Sequence, residues 1–186
     1  MSVTSPSWSS TFSTSPSTTP EPSLSRLPTK MLVTPRRYDL AVKHAFFQYL
    51  LHGGDEDAVR IYRWHIDRRC GPRFARGLPM DVWKWSVDDY VAAAGALCAS
   101  MANRGFIPEC AVPIDPDGEL LGGAHRVACA LALGIEEIPV IRSDRMAWAP
   151  PWGREWFVAN GMAREDLERV AQDFAALRSC HSDGGM

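Results

Sequence analysis

The stretch "DPDGELLGGAHRVACALALGIEEIPV", Asp115 to Val140, sets two glycines, a histidine and an arginine between a turn and an apolar helix. Gly122 and Gly123 let the backbone bend sharply and come close to a ligand with no side chain in the way. A helix opening at Ala124 presents N–H groups without intrahelical acceptors and the positive end of its dipole, which together attract an anion. Arg126 adds a planar fork of donors matched to phosphate oxygens, and His125 a ring nitrogen able to donate to the same group. The residue types alone fit a plainer assignment equally well: a tight turn, a solvated arginine and a histidine capping a carbonyl.

Phosphoryl chemistry also needs a group that accepts or orients a proton, usually with Mg2+ to neutralise the phosphates. Glu109, Asp115 and Asp117 precede the glycines. Pro-Asp-Gly is ordinary turn chemistry, which leaves Asp115 and Glu109 as the better candidates. The segment "RRYDLAVKHAF" offers a second set, placing Arg36, Arg37, Asp39, Lys43 and His44 on neighbouring turns of one helix. Asp39 is a further candidate acid there, with Arg37 and Lys43 as candidate substrate contacts. An Asp-Lys pair four residues apart is also a common, modest helix stabiliser. Trp152 and Trp156 read as pins for the last helix rather than as site residues.

"LLGGAHRVACALALGIEEIPV", preceded by "VPIDPDGE", resembles the signature of the ParB and sulfiredoxin superfamily, whose members bind nucleotide phosphates at a strand-to-helix turn. The likeness covers Phe106 to Arg142, and reaches further if the helix before it is included. It implies a small mixed sheet with flanking helices, a phosphate cradle at Gly122, Gly123, Ala124, His125 and Arg126, and ATP or another nucleotide with Mg2+. Sulfiredoxins carry a cysteine where this chain has Ala124, so no thiolate is present there to form the thiosulfinate of sulfinate reduction. The free serine kinases carry an acid where Gly122 stands, so a kinase of this kind needs another carboxylate. ParB proteins follow the turn with a DNA-binding helix-turn-helix; beyond Arg142 this chain has one convincing helix and no basic recognition helix. The expectation is an enzyme that moves a phosphoryl group from a nucleotide to a hydroxyl-bearing small molecule in a biosynthetic pathway. The alternative is a non-catalytic nucleotide sensor. A homodimer is compatible with both.

The elements that must position these groups follow from periodicity. Arg36 to Leu51 has a broad apolar face and ends at Gly53; "DED" opens a second helix that "DRR" closes before "CGP". Ser86 and Asp89 form a capping box ahead of Val87, Tyr90, Val91, Ala94, Leu97, Cys98 and Met101, and Gly105 ends that helix. "FIPECAVPID" reads as an extended, edge-like stretch, Leu120 and Leu121 as a short return strand, "IEEIPVIR" as a strand, and "WAPPWGREWF" as irregular. A final amphipathic helix carries Leu167, Val170, Ala171, Phe174 and Leu177. The fold expected is α/β (α+β), one domain over residues 31–180.

With 186 residues and a net charge of -2, the chain suits one core and carries no general pull on nucleic acid or membranes. Its five cysteines are odd in number and scattered, without metal-ligand spacing, which fits a reduced cytoplasmic compartment. Cys98 and Cys129 read as packing residues. Residues 1–30, rich in Ser, Thr and Pro, read as a disordered tail.

Overall fold

The computed structural model describes residues 24–80, 83–146 and 152–179. At its centre lies helix α1 (Asp39–His52), whose Leu40, Ala41, Val42, Phe46 and Phe47 are buried, as are Asp39 and Lys43. A helix with a single apolar stripe would leave one side wet. Here α2 (Glu56–Phe74), α3 (Val87–Arg104), α4 (Ala124–Ala132) and α6 (Arg164–Ser179) all contact it.

Strands β1 (Leu24–Pro28), β2 (Val112–Ile114) and β3 (Glu137–Arg142) form a three-stranded mixed sheet in the order β1-β3-β2. β1 runs antiparallel to β3, Leu24 opposite Ile141 and Pro28 opposite Glu137; β2 runs parallel, Val112 opposite Val140. Parallel neighbours need a crossover, and α4 supplies it. Pro139 is tolerated in the middle strand because the β2 register begins only at Val140, so β3 has a partner on one side alone there. The chain is therefore mixed α/β, with helices on a small sheet. No helix among the described residues is long and apolar enough to cross a membrane.

The third helix matches its sequence signals closely. The Asp89 backbone N–H donates to Ser86 Oγ at 3.2 Å, the Asp89 carboxylate accepts from the Ser86 N–H at 2.9 Å, and Gly105 (φ 70°) stops the helix. Five expectations are corrected. Leu24–Pro28, assigned to the tail by composition, is an edge strand, because alternating Leu24 and Leu27 find ladder partners on β3. Helix α2 does not close before Gly71 and Pro72 but runs to Phe74; Cys70 is fully buried and Phe74 packs on the core, which outweighs the proline. Pro108–Cys110 is a turn of 3-10 helix rather than strand, with β2 starting at Val112. Arg154–Ala159, within the stretch read as irregular, is helix α5. Leu120 makes an isolated antiparallel bridge to Ile114 in place of a strand. Residues 1–23, Trp148 and Cys180 lie outside the described residues. Cys98 and Cys129 are buried between α3 and α4.

A cationic cleft at the start of helix α4

Gly123 is the N-cap of α4 at φ 77°, ψ 16°, a left-handed conformation that residues with a Cβ disfavour. A Cβ built there would stand 3.0 Å from the Arg126 guanidinium. Gly122 is less constrained, since its Cβ would make an ordinary 3.6 Å contact with Pro113. No side chain caps α4, and the Val127 N–H is the one bonded to Gly123 O, at 3.1 Å. The amides of Ala124, His125 and Arg126 thus precede the first intrahelical bond.

This turn opens onto a cleft of about 580 Å³. Its described walls bear Arg36, Arg37, Arg69, Lys84 and Arg126 against a single carboxylate, Glu119. Such an imbalance in a concave, partly desolvated site favours anions. Arg126 lines the cleft, yet its Nη1 donates to the carbonyls of Cys110 and, at 3.1 Å, Ala111. Part of its fork is committed to holding the arginine across its own helix start.

His125 also lines the cleft, but its Nε2 lies 2.9 Å from the Tyr62 hydroxyl, and the ring packs against Phe47, Tyr62 and Tyr90. Burial, reinforced by Lys43, Arg69 and Lys84, pushes its pKa well below 6.5. The ring is therefore neutral at pH 7 and anchors α4 to α2. The Nε2 expected to donate to a phosphate is engaged with the Tyr62 hydroxyl instead.

The candidate acids are dispersed. Asp115 is 1 % exposed and outside the cleft lining; its Oδ1 accepts the Glu119 N–H at 2.8 Å and its backbone pairs with Glu119 O, closing the turn. Glu109 is exposed on the 3-10 turn, also outside the lining. Asp39 is buried beneath the cleft floor, where Arg37 Nε and Nη2 donate to its two oxygens at 2.9 and 3.0 Å and Lys43 Nζ donates at 2.5 Å. Lys43 is 0 % exposed, so it cannot touch a ligand; Arg37 does line the cleft, with Nη1 donating to Leu120 O at 3.3 Å. Burial alone would raise the Asp39 carboxyl, but Lys43 and Arg37 hold it far below the usual carboxylate range. Burial lowers the Lys43 amine to about 8 in spite of Asp39. His65 stands 3.3 Å from Lys43 Nζ with its Nε2, while its buried Nδ1 has no hydrogen-bond partner among the described residues. Burial, with Lys43 next, keeps His65 neutral by lowering its pKa well below 6.5.

Glu119, Arg69 and Lys84 were missed as site residues. Glu119 accepts from Thr34 Oγ1 at 2.9 Å and faces the cleft because the Asp115 turn returns it there. Counting around the "PDG" turn would have placed it opposite Asp115. Arg69 sits over the Trp152 ring at 5.2 Å and Lys84 over Trp83 and Tyr90; nothing in their local sequence marks them. Trp152 pairs in a bridge with Arg37 and lines the cleft as well as packing against Trp156.

No group of three His, Cys, Asp or Glu among the described residues is placed to hold a metal ion. Mg2+ borne by a polyphosphate fits differently, since it keeps most of its waters and needs one or two carboxylates, and Glu119 is the one at hand. No family model, curated protein or solved structure matches this chain.

Proposed function

We propose that the protein is a ParB/sulfiredoxin-like, cytoplasmic nucleotide-binding phosphotransferase that moves a phosphoryl group from ATP or another nucleotide to a hydroxyl-bearing small molecule of a biosynthetic pathway. One observation carries this reading: the uncapped start of α4 at Gly123 opens into a cleft that, among the described residues, bears five cationic side chains and one carboxylate. Amides of Ala124 to Arg126 and the remaining Arg126 donors take the phosphate oxygens, and Arg37, held rigid by Asp39, contributes a second guanidinium. Glu119 replaces Asp115, Glu109 and Asp39 as the acid that receives or orients the acceptor hydroxyl proton, being the carboxylate that lines the cleft among the described residues. A Mg2+ ion carried by the nucleotide would neutralise phosphate charge beside Glu119.

The placement of Asp115, Glu109 and Asp39 away from the cleft favours a second reading, a module that binds a nucleotide without turning it over. Calorimetry with a panel of nucleotides and Mg2+ detects binding under either reading, and phosphorus NMR of the same mixtures with hydroxylated metabolites detects product only from an enzyme. Absence of both binding and product refutes the phosphate site.

A further inference from the structure

The cleft has two chemically different halves. Around the α4 turn it is polar and cationic; along α3 it is formed by Met80, Trp83, Tyr90, Ala93, Ala94 and Leu97. A bare phosphate or a sugar phosphate has no use for an apolar wall of that extent. We infer that this second half is a stacking subsite for a planar heteroaromatic ring, with the Trp83 indole as its outer face, so that the ligand of the cleft is a nucleotide with its base engaged.

Trp83 is 54 % exposed although it lines the cleft, which leaves much of a large ring surface open to a ligand. The Met80 N–H donates to Lys84 O at 3.1 Å, next to Trp83. Lys84 Nζ lies 5.2 Å from the Trp83 ring centre and 5.1 Å from that of Tyr90, so the faces of both rings already hold a cation. A nucleobase entering there stacks on the exposed part of the indole. Ala93 and Ala94 give the ring clearance from α3 that larger residues would fill. The inference rests on the reading of the α4 turn as a phosphate site.

The test titrates the full chain with Mg-ATP and with Mg-tripolyphosphate by calorimetry. Base stacking predicts that ATP binds roughly 5- to 150-fold more tightly than tripolyphosphate. Trp83→Ala then removes most of that advantage while leaving tripolyphosphate binding unchanged, and Trp83→Phe restores much of it. Trp85→Ala, altering an exposed indole outside the cleft lining, leaves both ligands as in the wild type. Equal affinities for ATP and tripolyphosphate, or a Trp83→Ala variant that keeps the ratio, overturn the stacking subsite alone. Failure of both ligands to bind overturns the phosphate site along with it.

Discussion

Replacing Asp39 with asparagine probes the most heavily charged part of the interior. The carboxylate is 1 % exposed and accepts three charge-assisted hydrogen bonds, two from Arg37 and one from Lys43. Asp39→Asn conserves shape and leaves two buried cations facing a neutral amide, a change that costs about 3–5 kcal/mol when a buried pair loses one partner. Set against a total stability of about 5–15 kcal/mol, this is severe. Lys43→Met behaves differently. Holding that amine charged in the fold lowers its pKa from 10.5 to about 8, which corresponds to a cost of about 3 kcal/mol at neutral pH. Methionine removes that cost while Asp39 keeps its two-pronged bond to Arg37, so stability stays within about 1 kcal/mol of wild type, and Asp39→Asn/Lys43→Met is more stable than Asp39→Asn alone. Urea unfolding followed by circular dichroism measures all four proteins. In Asp39→Asn the unfolded chain binds the Lys43 proton more readily than the folded one, so its stability rises as pH climbs toward 10.5. The reasoning fails if Asp39→Asn unfolds within about 1 kcal/mol of wild type, or if Lys43→Met is the more damaging change.

Arg126→Ala removes a guanidinium from the cleft and weakens Mg-nucleotide binding by about 1.5–3 kcal/mol, read by calorimetry. Gly123→Ala forces a Cβ into a left-handed position and against Arg126, lowering stability by about 1–2 kcal/mol by thermal unfolding. His65 is neutral when folded and has an ordinary pKa of 6.5 when unfolded; stability is complete above that value and is lost as pH falls below it. His125, lowered in the same direction, adds to the loss, and His65→Gln makes that slope shallower in urea titrations.

The sequence exposed what depends on neighbouring residues. The Ser86–Asp89 capping box, the Gly105 stop, the strand at Glu137–Arg142 and the bend at Gly123 before a helix are local signals, and each is present in the fold. Asp39 and Lys43 were singled out as a pair at helical spacing, but no local signal says that α1 is enclosed by four helices and that the pair is sealed beneath the cleft. Asp115 looked like a reacting acid because it precedes the glycines, whereas its hydrogen bond to the Glu119 N–H makes it the clasp that presents Glu119. Arg69 and Lys84 reach the cleft only through the packing of α2 and α3, a tertiary fact with no sequence period. Leu24–Pro28 was masked by its polar surroundings and owes its form to β3, more than a hundred residues later.

That last pairing bears on how the molecule is made. Arg26 bonds to the Glu137 carbonyl, 111 positions further along the chain, so on the ribosome β1 emerges long before the strand that completes it. Its ladder edge waits while α1 to α4 assemble, and only the synthesis of β3 closes the sheet. Contacts of such long range slow folding and lengthen exposure of an unpaired edge. A nascent chain stalled short of Arg142 has α1 to α4 at most and lacks its seam.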